Sequence, residues 1–435
     1  MRILNRDEKV IVVEDPTEEE LERLARENPD AKFVVVLKER EAPPRLPKDV
    51  HPIDVQLLKP SASVEVAAAH LRARRAQFHL EPSKAVTRRE LLRGEIFVKR
   101  LVPQVSPELC TARFGCSECV DACPAGAVKI QEGVASIDPQ RCTECGLCIS
   151  ACPTGALATP GADDVEIAVA LSKAKLHGIS KIVFTCYKAG VVAGEGEYVF
   201  KLPCIGAIGP EWTLEAVATA GNVEAYCPDL KCPVGGAKAG LKAVEEVADA
   251  FGFEKEVGED KISLKTSPRP LAYSGTRRRD YLEVLAKFRD LYTGKKSAAL
   301  KIYKVDVDAD KCSLCGVCFA KCPQRAFDVS RDGDAVRLTL NPLKCVGCGL
   351  CEDVCPEKAI AVGKYDVLPP EVEEKAVDYV VRCKSCGRVF DTYKHIQTVK
   401  QRMGIKGDPE WLYLCPDCRR YYTAKRMLES ALGKK

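Results

Sequence analysis

The chain has 435 residues, of which 46% are hydrophobic and 29% are charged, and its formal net charge is +4. This balance is typical of a folded protein of about two to four domains and argues against wholesale disorder. The charge is spread along the chain without a concentrated basic footprint, which argues against a nucleic-acid partner. The short basic runs, at Arg72, Arg74 and Arg75 and at 277–279, are interpreted as solvated helix faces or linkers.

The 24 cysteines are the most informative residues of the composition. Nearly all fall in Cys-x-x-Cys groups, which suit metal sites, and the chain is too long for a small disulfide scaffold. Such thiolates need a reducing compartment, so we expect a cytoplasmic protein. The segment 1–15 is charged and strand-like, unlike a signal peptide. No apolar run of roughly 18 residues occurs, so no membrane insertion is expected.

Residues 1–95 lack cysteine and predict a small α/β domain for docking or packing. The apolar runs 10–13 and 33–37 predict buried strands. Between them, 17–27 predicts a helix with Thr17 as N-cap and Glu20 in the capping-box position. A second helix start is predicted at Thr87, with Glu90 three residues later.

Two segments, 110–155 and 312–358, repeat one another and hold eight cysteines each. They define two modules, 96–160 and 301–362. Three of their four cysteine groups match the run C-x2-C-x2-C-x3-C-P, in which three thiolates of one tight loop cap three irons of a cubane. The remaining group departs from the pattern, because five residues separate Cys110 from Cys116. Zinc clusters are the disfavoured alternative, since the repeated Cys-Pro endings are typical of iron–sulfur proteins.

These modules resemble two-cluster bacterial ferredoxins, in which the fourth cysteine of each run binds the other cluster. The resemblance implies four [4Fe–4S] clusters and their ligands. The four ligand sets are Cys142, Cys145, Cys148 and Cys123; Cys312, Cys315, Cys318 and Cys355; Cys345, Cys348, Cys351 and Cys322; and Cys110, Cys116, Cys119 and Cys152.

Residues 161–250 alternate strand and helix patterns, which predicts a central α/β layer domain. The candidate strands and helices are 182–184, 198–200 and 223–225, and 211–220 and 237–250. Cys186, Cys204 and Cys227 each lie at or just after a strand end, and Cys232 follows in the same loop as Cys227. Strand ends of an α/β layer gather at one edge of the sheet, so four thiols are expected to converge there.

This segment resembles the delta-type iron–sulfur subunit of methyl-viologen-reducing hydrogenases, which serves heterodisulfide reductase. The matching residues are Phe184-Thr-Cys186-Tyr, Leu202-Pro-Cys204-Ile-Gly206, the helix around 214–221 and Cys227-x4-Cys232. The resemblance implies a [2Fe–2S] cluster on Cys186, Cys204, Cys227 and Cys232. It departs from the family in offering no extra cysteine within 187–196. A zinc site, free buried thiols and a redox disulfide between Cys227 and Cys232 are the alternatives.

Residues 251–300 are predicted to be a charged linker with a helix over 278–291. The tail module, 363–435, carries two Cys-x-x-Cys knuckles. This spacing favours a structural zinc ribbon bound by Cys383, Cys386, Cys415 and Cys418, although a rubredoxin-like iron site uses the same knuckles. A helix-like stretch, 392–403, lies between them, and His395 within it is interpreted as an ordinary histidine.

The predicted fold is multidomain, α+β and α/β. It comprises the N-terminal α/β domain, two ferredoxin-like two-cluster modules, the central layer and the zinc ribbon. The sequence offers no defensible site for substrate chemistry, so the main hypothesis is an electron-transfer subunit of a larger oxidoreductase, not itself catalytic. The expected partner is a hydrogenase, a heterodisulfide-reductase-like flavoprotein, or a molybdenum or tungsten enzyme, with soluble ferredoxin as a further candidate. The alternatives are a disulfide or sulfur-compound reductase acting at Cys227 and Cys232, and an iron–sulfur redox regulator.

Overall fold

The computed structural model describes residues 2–6, 9–39, 42–82 and 97–432. The chain divides into two compact units, one of Met1–Lys301 with Asp366–Leu368, the other of Ile302–Tyr365 with Pro369–Lys435. The predicted helix start at Thr87 and Glu90 lies outside the described residues.

The first unit begins with a four-stranded sheet in the order β1-β2-β3-β4. Strands β2, β3 and β4 are parallel, and β1 is antiparallel to β2. The elements are β1 (Arg2–Arg6), β2 (Val10–Glu14), α1 (Glu18–Glu27), β3 (Lys32–Val36), β4 (Val55–Leu58) and α2 (Val64–Ala73). The apolar runs predicted as strands are buried as β2 and β3. The capping box on α1 is confirmed, because Thr17 and Glu20 each accept the other's backbone N–H.

The first cysteine-rich module consists of short elements around its loops. They are β6 (Phe97–Arg100), β7 (Gln104–Val105), α3 (Glu118–Asp121), β8 (Val128–Gln131), β9 (Val134–Ile137), α4 (Leu147–Ala151) and β10 (Leu157–Ala158), and β5 (His79–Pro82) precedes the module in the chain. Strands β5–β6, β8–β9 and β7–β10 form three antiparallel pairs. The helices α3 and α4 each carry one cysteine, Cys119 and Cys148.

The central sheet has five strands in the order β12-β11-β13-β15-β14. Its elements are α5 (Asp164–Leu176), β11 (Lys181–Cys186), β12 (Glu197–Leu202), α6 (Pro210–Ala220), β13 (Asn222–Tyr226), α7 (Ala237–Phe251), β14 (Glu254–Val257) and β15 (Lys261–Lys265). Strand β11 is parallel to both β12 and β13. Since β14 and β15 complete this sheet, the predicted linker over 251–300 is wrong in its first part. Ile262 and Leu264 are buried and alternate with polar residues, of which Lys261 and Lys265 are exposed, and this is the period of a half-buried strand.

The helix α8 (Arg277–Phe288) follows these strands. Its residues Tyr281, Val284 and Phe288 are fully buried, so this segment also packs against the unit. Arg277 and Arg278 are 4% and 5% exposed. The interpretation of 277–279 as a solvated run is therefore wrong for two of its three arginines.

The N-terminal layer is joined to the central layer by a buried polar network around Glu166. Arg74, whose side chain is 3% exposed, contacts Glu166 at 3.1 Å and Asp54 at 2.6 Å. His70 Nε2 lies 3.1 Å from the same Glu166 carboxylate. Burial by itself would raise the pKa of Glu166, but Arg74 and His70 hold it below its ordinary value. The solvated interpretation is thus wrong for Arg74 as well.

The second unit contains one two-stranded and one four-stranded sheet. Its elements are β16 (Ile302–Val307), α9 (Val317–Lys321), β17 (Phe327–Asp332), β18 (Ala335–Leu340), α10 (Leu350–Asp353), β19 (Ile360–Tyr365), β20 (Glu373–Arg382), β21 (Val389–Thr392), α11 (Tyr393–Arg402) and α12 (Pro416–Ala431). Strand β20 of the tail pairs with β18 of the second module. The predicted boundary at 362 therefore separates a module and a tail that share the sheet β17-β18-β20-β21.

Within the described part of the chain, no helix is both long and apolar enough to cross a membrane.

The Arg74 network generates a stability prediction. Replacing Arg74 with Met leaves the Glu166 carboxylate buried without its guanidinium partner, which costs about 3–5 kcal/mol. Hydrogen exchange of the α2 and α5 amides measures this loss as a lower free energy of opening. The exposed Arg72→Met is the matched control and is expected to change it by less than about 0.5 kcal/mol. Equal effects of the two substitutions would contradict a special role of Arg74.

Candidate metal centres

The cysteines of the first run meet one from the second run in a cavity. Those lining it are Cys110, Cys116, Cys119 and Cys152. The longer loop between Cys110 and Cys116 is taken up by a 3-10 turn, Ala112–Phe114, that ends on Gly115 with φ 102°. Only glycine adopts this backbone conformation readily. The unusual spacing therefore does not prevent the four sulfurs from converging.

The other four cysteines of this module are Cys148, which is carried by α4, and its three neighbours Cys145, Cys142 and Cys123. Burial raises the pKa of Cys148 well above its ordinary value, and the sulfurs of Cys145, Cys142 and Cys123 add to the rise. Cys119 of the first group contributes as well, so the two groups are neighbours.

The second module brings its cysteines together in the same crossed manner. One cavity is lined by Cys312, Cys315, Cys318 and Cys355, and another by Cys322, Cys345, Cys348 and Cys351. Apolar residues complete the walls, among them Val329 and Leu338 in the first cavity and Phe327 and Val362 in the second. Each cavity thus offers four sulfurs in an apolar shell.

A common hydrogen bond marks the end of every run. The cysteine before each proline accepts the backbone N–H of the alanine four residues later. The N···S distances are 3.2 Å for Ala127 to Cys123, 3.3 Å for Ala156 to Cys152, 3.3 Å for Ala326 to Cys322 and 3.3 Å for Ala359 to Cys355. A hydrogen bond to a sulfur favours the thiolate and is one of the factors that set a cluster's potential.

The central sheet presents its cysteines at one edge. Strand β11 ends on Cys186, and Cys204 and Cys227 follow the ends of β12 and β13, the parallel neighbours of β11. Burial raises the pKa of Cys204 to about 11, with contributions from Cys227, Cys145 and Cys186. Cys227 and Cys232 likewise add to the raised pKa of Cys186, after burial. These thiols are therefore near enough at this edge of the sheet to affect one another's ionisation.

A close contact between two backbones brings this edge against the first module. A Cβ atom on Gly206 would lie 2.4 Å from the Cys145 carbonyl oxygen. One on Gly236 would lie 2.5 Å from the same oxygen and 3.1 Å from Cys204 Sγ. Side chains are therefore excluded at both positions. Sequence analysis noted Gly206 only within the family resemblance, because nothing local shows what a glycine packs against.

The tail knuckles form a tighter group than the others. The sulfurs of Cys383, Cys386, Cys415 and Cys418 all lie within 4.8 Å of one another. Cys386 and Cys415 Sγ are 3.8 Å apart, the separation that a tetrahedral ion with metal–sulfur bonds of about 2.3 Å requires. Desolvation opposes ionisation of Cys383, but backbone N–H groups of Cys415, Cys386 and Ser385 lower its pKa to about 6. This geometry fits a single metal ion.

In the described residues, no other group of three or more His, Cys, Asp or Glu ligand atoms lies as close together as these four sulfurs. The cavity-lining cysteines of the two modules are therefore more widely separated. In a polynuclear cluster each thiolate binds a different iron, so its ligand sulfurs need not approach one another as closely as they do around a single ion.

Arg100 is a functional residue that sequence analysis did not find. Its Nη1 and Nη2 donate to the carbonyls of Pro139, at 2.5 Å, and Cys142, at 2.6 Å, and its Nε lies 2.8 Å from Glu144. It thereby fixes the loop that carries Cys142 and Cys145. A lone arginine so far from the loop in sequence gives no local signal.

Comparison with known proteins supports the chemistry of the two modules. The family described as "4Fe-4S dicluster domain" matches residues 103–156 and 311–359. A stretch of 33 residues is 48% identical to a subunit of the ion-translocating oxidoreductase complex of Methanosarcina acetivorans. That stretch covers 8% of this chain and 12% of that protein, so the chain spans about an eighth of this relative's length. The chain is an iron–sulfur electron-transfer protein that carries [4Fe–4S] clusters.

The tail geometry generates a metal-content prediction. Cys386→Ser removes one of four converging sulfurs and is expected to reduce the total metal content by about one ion per chain, because a closed tetrahedral site needs all four ligands. Elemental analysis of the purified chain measures this. Ser385→Ala, which keeps every thiol, is the control. Unchanged metal content in Cys386→Ser would show that the four thiols do not bind an ion.

Proposed function

We propose that the chain is the iron–sulfur electron-transfer subunit of a larger cytoplasmic oxidoreductase complex. It relays single electrons through four [4Fe–4S] clusters and one [2Fe–2S] cluster, to or from a catalytic partner. The observation that carries this proposal is the contact of the Cys145 loop with Gly206, Gly236 and Cys204, since it makes the central site and the first module immediate neighbours.

The cysteine side chains support this assignment. Each two-cluster module offers two crossed sets of four thiols, and the central edge offers Cys186, Cys204, Cys227 and Cys232 for the [2Fe–2S] cluster. When bound, these clusters exchange one electron at a time, and a partner must supply any other chemistry. The protein's own residues orient the sulfurs, donate N–H hydrogen bonds to them and surround them with apolar walls.

The tail is proposed to hold zinc and to serve as a structural dock. Zinc has no redox chemistry, and a closed site with four cysteines is its usual structural arrangement. Thr392 Oγ1 donates to the Ser313 carbonyl at 3.2 Å, and Lys394 Nζ donates to that of Ala309 at 2.8 Å. The tail thereby supports the loop that carries Cys312.

A multi-subunit setting is proposed from the relative, whose name describes one component of an ion-translocating oxidoreductase complex. The catalytic partner would be a hydrogenase, a heterodisulfide-reductase-like flavoprotein, or a molybdenum or tungsten enzyme.

Metal content and spectroscopy test the cofactor assignment. Four [4Fe–4S] clusters and one [2Fe–2S] cluster contain about 18 irons, and we expect these with one zinc per chain. Electron paramagnetic resonance of the reduced protein should show both cluster types. About 16 irons would remove the [2Fe–2S] cluster, and about 19 without zinc would make the tail an iron site.

The alternative of a disulfide reductase is distinguished by turnover. Burial raises the pKa of Cys227, which disfavours a reactive thiolate. The isolated chain is therefore expected not to reduce disulfides with reduced ferredoxin as donor. Turnover that disappears in the Cys227→Ser and Cys232→Ser variants would overturn the carrier proposal.

The Gly236 contact generates a kinetic prediction. Gly236→Ala places a methyl group against the Cys145 carbonyl and Cys204 Sγ, so the two loops must separate. Electron transfer between the first module and the central site is expected to slow at least about tenfold, because its rate falls steeply with distance. The iron content is expected to be retained. Rapid-freeze electron paramagnetic resonance after mixing with a reductant measures it. Gly363→Ala is the control, since its Cβ would meet nothing within 4 Å. An unchanged rate in Gly236→Ala with full iron content would contradict this route.

A further inference from the structure

Two cations from outside the first module contact the end of its helix α4. Arg277 Nη1 donates to the carbonyl oxygens of Ile149, at 2.5 Å, and Cys152, at 3.0 Å. Lys301 Nζ donates to the carbonyl of Ser150. Three carbonyls in the segment that ends on Cys152 are thus held by positive side chains that lie more than a hundred residues further along the chain.

Each cation is paired with a carboxylate, and that of Glu211 is buried. Arg277 Nε lies 2.9 Å from Asp164 Oδ1, and Lys301 Nζ lies 3.0 Å from Glu211 Oε2. Their side chains are 2% and 16% exposed, and that of Glu211 is 2% exposed. The guanidinium of Arg277 also stacks over the Trp212 ring, 5.0 Å from its centroid. Because these groups are shielded from water, their charges act strongly on the neighbouring cysteines.

The backbone leaves room for both pairs. A Cβ on Gly155 would lie 2.0 Å from Asp164 Oδ2, and one on Gly209 would lie 2.4 Å from Glu211 Oε2 and 2.9 Å from Lys301 Nζ. Because Gly155 and Gly209 have no side chains, the two ion pairs can lie close to the loop that contains Cys152. The two cations contact the carbonyls of 149–152 directly, whereas the Asp164 carboxylate contacts the chain three residues further on, at Gly155.

We propose that Arg277 and Lys301 are positioning residues that raise the reduction potential of the centre formed by Cys110, Cys116, Cys119 and Cys152. This rests on the proposed function, which places a [4Fe–4S] cluster there. Reduction adds one electron, supplied by an external donor, and so one negative charge. A nearby buried cation stabilises that charge, and net charge and hydrogen bonding are among the factors that set cluster potentials.

Arg277 lies in the segment 251–300 that is predicted from sequence to be a linker, and Lys301 is the first residue of the predicted second module. Arg277 begins α8 and Lys301 is the last residue of the first unit before β16. The packing of α8 against the unit places Arg277 beside the Cys152 loop, and Lys301 contacts the same loop.

The test is a redox titration of the full chain followed by electron paramagnetic resonance. In Arg277→Gln, one component of about one spin per chain is expected to shift to more negative potential. The expected shift is about tenfold in its reduced-to-oxidised ratio, which is about 59 mV for one electron. Lys301→Gln should shift the same component in the same direction, and Arg277→Lys, which keeps the charge, should stay near the wild-type potential.

Matched controls remove equal charges at the surface. Arg279 and Lys296 are exposed. Their Gln variants are expected to change the reduced-to-oxidised ratio of every component by less than about threefold, because solvent and salt screen surface charges. Shifts as large as those of Arg277→Gln in these controls would overturn the proposal. So would wild-type potentials in both Arg277→Gln and Lys301→Gln.

Loss of the component from Arg277→Gln, Lys301→Gln and Arg277→Lys alike would assign the two residues a structural role and would also overturn it. If the component is lost in Arg277→Gln alone, the potential of the component in Lys301→Gln decides. A shift to more negative potential then supports the proposal, and a wild-type potential overturns it. The proposed function fails separately, if the wild-type chain shows no [4Fe–4S] component at all.

Discussion

The first unit depends on one close approach of two backbones, where the carbonyl of Cys145 lies against Gly206 and Gly236. A polynuclear site needs sulfurs from separate chain segments, so the loops that carry them must be held rigidly together. Here a side chain at either glycine would force apart the cysteine loop and the edge of the central sheet. The contact therefore fixes the first module and the central thiols as one body, and the proposed electron route follows from it.

Buried charges hold the same body together around this contact. Arg74 joins the N-terminal layer to Glu166 of α5, Arg100 holds the Cys142 loop, and Arg277 and Lys301 hold the loop before Cys152. A buried ion pair adds little net stability, because desolvation offsets much of its attraction. Its contribution here is positional: Arg100, Arg277 and Lys301 each donate to carbonyls of the cysteine loops and so hold those loops in place.

In the second unit, a shared sheet holds the second module and the tail together. Strand β20 of the tail extends the β17–β18 hairpin of the second module, and the metal knuckles follow it in the chain. Thr392 and Lys394 then reach the loop of Cys312. The tail is thus a structural continuation of the module, and a tetrahedral ion there would brace the loops around Cys312 without taking part in electron transfer.

The sequence by itself determined the [4Fe–4S] chemistry of the two modules, since the spacing of a run such as Cys312–Cys322 places thiolates on one tight loop whatever surrounds it. It also determined β2, β3 and the capping box of α1, because these signals are local. The tertiary structure alone decided the contacts of Arg74, Arg277 and Lys301, whose partners lie far away in the chain, and the membership of β14 and β15 in the central sheet. It also decided which backbones meet at Gly206 and Gly236. A charge or a glycine has no local pattern that reveals its partner, and burial that pairs distant segments appears only when the chain is folded.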